Sequence, residues 1–95
     1  MAISAAQYVV AAQAMTEQAA NALNTARDFA AQDAYTRIRE ELGNVAFSLE
    51  LARTFITESL EIQQATGKFE FTFQTQAFIQ EIEDGAKEFR TEYGY

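Results

Sequence analysis

Residues 37–49 read RIREELGNVAFSL, and this stretch decides whether the chain folds back on itself. Gly43 and Asn44 stand within an apolar pattern of helical spacing. Glycine suits the left-handed position that follows a helix, and asparagine is a good cap for the next one. We therefore predict a turn at Gly43-Asn44 between two antiparallel helices. The apolar pattern also continues through Val45 without a phase shift, so the alternative is one helix that passes through Gly43 at a cost of about 1 kcal/mol.

The helix before this turn is predicted to begin at Ser4. Ser4 and Gln7 have the spacing of a capping box, in which each side chain bonds to the backbone of the other. From there to Leu42, apolar residues recur every three or four positions, as they do along one face of a helix. The stripe contains Tyr8, Ala12, Met15, Ala19, Ala22, Leu23, Ala26, Phe29, Ala30, Ala34, Ile38 and Leu42.

The period of the pattern changes after the second helix. Helical spacing from Val45 predicts a helix that ends near Gly67, where a glycine can terminate it. Phe69, Phe71 and Phe73 then alternate with polar residues, which indicates a short extended segment.

A third helix is predicted from about Thr75 to Glu92, where helical spacing returns. The predicted fold class is mainly α. An antiparallel helical hairpin is followed by a third helix, with the short extended aromatic segment between helices 2 and 3. The length suits a single helical domain over residues 1–95.

The charge balance restricts the classes of partner. The chain has 14 acidic and 7 basic side chains, for a formal net charge of −7. Binding to phosphates needs clustered basic residues, and these are scattered, so we expect no direct contact with nucleic acid. No apolar run approaches the roughly 20 residues of a membrane span. Because residues 1–4 carry no basic side chain, we expect synthesis in the cytoplasm without a classical signal peptide.

The chain contains neither histidine nor cysteine. Thiol catalysis and thiolate metal sites are therefore excluded, and the commonest general base is missing. Acidic pairs such as Glu58 and Glu61 are predicted to be solvated polar faces rather than metal ligands. We predict no enzymatic activity, no catalytic residue, no metal, no cofactor and no small-molecule substrate.

Two features are candidates for contact with other proteins. If the segment is extended, the rings of Phe69, Phe71 and Phe73 point to one side, which suits pairing with the edge of another sheet. The alternative is that these rings fill the core of the bundle.

The second candidate is the first helix. Residues 1–26 hold one charge, Glu17, and ten alanines. A nearly uncharged helix is poorly solvated, so we predict that Ala12, Met15 and Ala19 form a contact surface. The alternative is that the small side chains allow close packing inside the bundle of the same chain.

The predicted function is that of a protein-interaction or assembly subunit without enzymatic activity. Its partner would be another protein or further copies of itself in an oligomer, and a virion is one type of multi-protein complex that uses such components. The alternative is a small acidic regulatory inhibitor of the anti-defence type. It would bind one protein target through the acidic groups of residues 81–92.

Overall fold

Three helices account for the described part of the chain. The computed structural model describes residues 3–68 and 72–94. Helix α1 spans Ala5–Ala31, α2 spans Tyr35–Thr66 and α3 spans Phe73–Tyr93, and no strand occurs among these residues. Helices α1 and α2 form a hairpin, and α3 packs against both of them. The predicted fold class, a helical hairpin plus a third helix, is therefore confirmed.

The start of α1 has the predicted capping box. The Ser4 backbone N–H donates to Oε1 of Gln7 at 2.8 Å, and the Gln7 backbone N–H donates to Oγ of Ser4 at 3.2 Å. The first backbone donors of a helix have no partner inside it, and these two bonds satisfy donors at this helix start.

The turn between α1 and α2 lies at residues 32–34. The backbone N–H of Ala34 donates to the carbonyl of Phe29 at 2.9 Å, and that of Asp33 donates to the carbonyl of Ala30 at 3.2 Å. Asp33 has a φ of 56°, in the left-handed region. This pair of bonds around a left-handed residue is a Schellman motif, with aspartate where glycine is usual.

The prediction of a turn at Gly43-Asn44 is therefore wrong, and so is the extension of the first helix to Leu42. These residues lie inside α2, which passes through Gly43 without a break. A Cβ built at Gly43 would meet nothing within 4 Å, so no close approach requires glycine there. The burial of Leu42 and Val45 on either side offsets the cost of about 1 kcal/mol for a glycine inside a helix.

The end of α2 is where the sequence predicts it. Gly67 follows the helix with a φ of 69°, and its backbone N–H donates to the carbonyl of Gln63 at 2.9 Å. Glycine takes up this left-handed conformation without a steric penalty.

Small residues of α1 pack against larger ones of the other two helices. Ala12, Ala19 and Ala26 are fully buried. Small side chains on one helix let its neighbours approach closely. The larger residues that complete the core are Leu23, Ile38, Leu42, Val45, Leu49, Ile56, Ile79, Ile82 and Phe89.

Helix α3 runs parallel to α1. Near its start, Nε2 of Gln13 donates to Oγ1 of Thr75 at 3.3 Å. Ten residues further along both helices, a Cβ built at Gly85 would lie 3.2 Å from Cδ2 of Leu23. The residue numbers of the contacting pairs increase together along α1 and α3, so the two helices run in the same direction.

The predicted extended segment falls largely outside the described residues. Phe69 and Phe71 belong to residues 69–71, which the structure does not describe. Phe73 is the first residue of α3 and is not part of an extended segment, so the prediction is wrong at this position. The predicted third helix is confirmed, and it begins two residues before Thr75.

Candidate protein-contact surface

The residues predicted as a contact surface on α1 lie mostly in the core. Ala12 and Ala19 are 0% exposed, and Met15 is half-buried. The two alanines are packed between helices of the same chain, so a partner cannot reach them while the bundle is closed. Of the three residues, Met15 presents surface.

Of the three rings of the predicted aromatic surface, the structure describes one. Phe73 is 72% exposed at the first position of α3. Phe69 and Phe71 lie outside the described residues, so a surface shared by the three rings stays a prediction.

Gln13 and Arg53 mark the sides of α1 and α2 that face α3. Gln13 bonds to Thr75, and Arg53 forms an ion pair with Glu83. Successive residues of an α-helix are 100° apart, so residues two positions away lie about 160° around the helix. Those residues are Ala11 and Met15 on α1, and Leu51 and Phe55 on α2. These four side chains therefore point away from α3.

The hairpin surface opposite α3 contains a set of apolar side chains, and we call this set the back face. Its members are Tyr8, Ala11, Met15, Phe47, Leu51, Phe55 and Ile62. Phe47 is 63% exposed and the other six are half-buried. The rings of Tyr8 and Phe55 have centroids 6.0 Å apart, so the apolar surface is continuous from α1 to α2. Continuous exposed apolar surface of this kind is typical of contact sites.

An open depression of about 400 Å³ lies beside Phe47. Its lining residues are Gln18, Asn21, Ala22, Thr25, Glu41, Asn44, Phe47 and Ser48. All eight come from the hairpin helices, which places the depression on the same side as the back face. Ala22 and Ser48 are buried and small, so they leave the space open.

A stripe of carboxylates follows the side of α3 that borders α1. Glu81, Asp84, Glu88 and Glu92 are exposed, and spacings of three and four residues place them on one side of the helix. Arg27 of α1 lines a groove of about 460 Å³ together with the first three of them. Glu83 lies to the other side, where it pairs with Arg53 of α2.

The groove between α2 and α3 combines both signs of charge. It encloses about 460 Å³ above Val45, Leu49 and Ala86. Its charged lining residues are Glu50, Arg53, Glu58, Glu83, Lys87 and Arg90. Across residues 3–68 and 72–94, no group of carboxylates is arranged to hold a metal ion. Over the same two ranges, no helix is long and apolar enough to cross a bilayer.

Phe47 and Leu51 are not among the contact residues predicted from the sequence. Both lie beside the core stripe of α2 and are spaced four residues apart, in line with Phe55. An apolar stripe wider than one core face needs is the signal that points to them.

Comparisons with protein-family models, with curated proteins and with solved structures gave no match for this chain.

Proposed function

We propose that this protein is an interaction or assembly subunit without enzymatic activity, and that it contacts protein through its back face. The observation that carries the proposal is the exposure of Phe47, 63%, next to half-buried Leu51 and Phe55 on the side that α3 leaves open. Covering apolar surface is favourable by about 25 cal/mol for each Å² removed from water.

The chemistry of the back face suits the centre of a protein interface. Three of its seven members, Tyr8, Phe47 and Phe55, are aromatic, and Met15 adds a flexible thioether. Aromatic residues and methionine are enriched at the centres of interfaces, where charged residues are depleted. None of the seven members carries a charge.

The overall charge favours a protein partner over an anionic one. With a net charge of −7, the chain is repelled by nucleic acid and by anionic lipid headgroups. An apolar contact with protein does not require basic residues.

The shape of the molecule also supports a role in assembly. The chain measures 50 × 24 × 14 Å, so it is flat and elongated. The back face lies along the hairpin, which presents a large part of the surface to one neighbour. We propose that the assembly is a multi-protein complex, of which a virion is one example.

A second candidate function rests on the acidic stripe of α3. Glu81, Asp84, Glu88 and Glu92 together could be recognised by a basic target, as for a small acidic inhibitor. Charge steering of this kind accelerates association and weakens as salt is added.

Photo-crosslinking in the cells that make the protein tests the proposed contact. A photoreactive phenylalanine analogue placed at Phe47 should form covalent adducts with protein. Leu60 is the matched control, because it is also apolar and exposed on α2, at 41%, but lines a groove with α3. Adducts at position 47 well above those at position 60 support the proposal. Equal or absent adducts at both positions contradict it.

A further inference from the structure

We infer that the partner of the back face is a second copy of this chain, in a two-fold dimer in which Phe47 of each copy enters the depression of the other. This inference rests on the proposed role of the back face, and it adds the identity of the partner and the central contact.

A protruding ring and a depression lie on the same face of one chain. Phe47 is 63% exposed at the rim of the depression. A two-fold axis in the plane of the face, midway between the ring and the depression, brings each ring onto the other copy's depression. Two-fold interfaces require this kind of self-complementary patch, in which the same pair of contacts is made twice.

The depression has the size for an aromatic ring. It holds about 400 Å³, whereas a cavity of about 150 Å³ is enough for benzene. Ala22 and Ser48 are buried at its base, and the amides of Gln18 and Asn21 lie at exposed positions. A ring can therefore contact the base while these amides keep their access to water.

The area of the hairpin surface opposite α3 matches what a stable dimer buries. From Ser4 to Phe29 it is about 38 Å long, and two helices packed side by side are about 20 Å wide, which gives roughly 750 Å². A standard interface buries about 800 Å² on each partner. A second copy seated along the whole hairpin therefore covers an area of the right size.

The distribution of charge allows two acidic copies to meet on this face. Each copy has a net charge of −7, but the seven members of the back face are uncharged and one of the eight residues of the depression, Glu41, is charged. Glu40 and Glu58 are exposed on the same side of α2, seven residues from Phe47 and Leu51, so they contribute to the repulsion between copies, and salt screens it.

Charged residues introduced on the two sides of the contact test the dimer with purified protein. The measurement is the mass of the full chain by sedimentation across the micromolar range. Phe47→Lys removes the ring and keeps the other seven lining residues of the depression, and Gln18→Glu alters the depression and leaves the ring intact. Each change occurs twice in a homodimer, so each should weaken self-association about tenfold or more. Leu60→Lys, the matched control, should leave the dimer unchanged.

A mixture of the two variants gives the decisive result. In the mixed dimer, one contact pairs an intact Phe47 with a depression whose lining is changed only at its own position 47. The other contact pairs the introduced lysine with the introduced glutamate. We expect it to be at least about tenfold tighter than either variant alone. The pairing of Phe47 with the depression is contradicted if mixing restores nothing, or if Leu60→Lys weakens the dimer as much. A chain that stays monomeric throughout overturns the inference, while adducts with a different protein at position 47 would leave the proposed function standing.

Discussion

The side-chain hydroxyl of Ser59 on α2 donates a hydrogen bond to the backbone carbonyl oxygen of Ala5 on α1, 2.9 Å away. The same hydroxyl oxygen accepts a bond from Nε2 of Gln63 at 3.0 Å, and all three residues are buried. Alanine side chains are small and alike, so their packing alone does not select one alignment of two neighbouring helices. Directional bonds at the open end of the hairpin therefore help to fix how α1 and α2 align.

Replacing Ser59 by alanine should lower the free energy of unfolding by about 1–3 kcal/mol, because two buried hydrogen bonds are lost. Chemical denaturation measures the change. Thr54→Ala is the control, since the Thr54 hydroxyl is exposed and bonds within its own helix to the Glu50 carbonyl. It should change the stability by about 0.5 kcal/mol or less. Equal losses in the two variants would contradict the structural role of Ser59.

Asp33→Val should destabilise the chain by about 1–2 kcal/mol, because a β-branched residue resists the left-handed conformation of the turn. The variant also loses the bond that the Tyr35 hydroxyl donates to Oδ1 of Asp33 at 2.9 Å. Asn44→Val places the same side chain at an exposed helical position and should cost much less. Thermal unfolding compares the two. A larger loss of stability from Asn44→Val than from Asp33→Val would contradict a turn at residues 32–34.

Gly43→Ala should stabilise the chain by about 1 kcal/mol, because alanine favours a helix interior and the added Cβ meets nothing within 4 Å. Gly67→Ala should have the opposite sign, because Gly67 has a φ of 69°. Denaturant midpoints of the two variants should fall on opposite sides of that of the parent chain. A loss of stability from Gly43→Ala would contradict an unbroken α2.

Added salt should tighten self-association through the back face, because it screens the repulsion between two copies that each have a net charge of −7. Binding of a basic target by the acidic stripe of α3 should instead weaken as salt is added. Sedimentation at low and high sodium chloride concentrations measures the first effect. Self-association that weakens with salt would show that ion pairs, and not apolar contacts, hold the copies together.

The sequence predicts the helices well where one local pattern determines the outcome. The capping box at Ser4 and the glycine at Gly67 act within a single turn of chain, and both are present as predicted. The core stripes are also visible as apolar residues at helical spacing.

The position of the turn cannot be predicted from the same kind of signal. Gly43 has the residue type of a helix end, whereas Asp33 adopts the left-handed conformation. The turn at residues 32–34 lets α1 and α2 pack against each other along most of their lengths. This is a long-range property that a local pattern does not contain.

The contact surface depends on a similar long-range fact. Sequence spacing identifies Ala12 and Ala19 as members of an apolar stripe. It does not show whether the chain itself or a partner covers them. Their complete burial follows from the packing of α1 against its neighbours. Phe47 remains exposed because α3 packs on the other side of the hairpin.

The most direct test of the back face as a protein contact is the alkylation of single cysteines in the cell. The chain has no cysteine, so each label reports one introduced position. In dilute purified protein, Asn44→Cys, which lies in the lining of the depression and keeps the Phe47 ring in place, should react readily, and so should Leu60→Cys, because both positions are exposed. Inside cells that make the protein, we predict that position 44 is protected several-fold relative to position 60. An unchanged ratio of rates in the cell and in dilute solution would show that nothing covers the back face and would contradict this account.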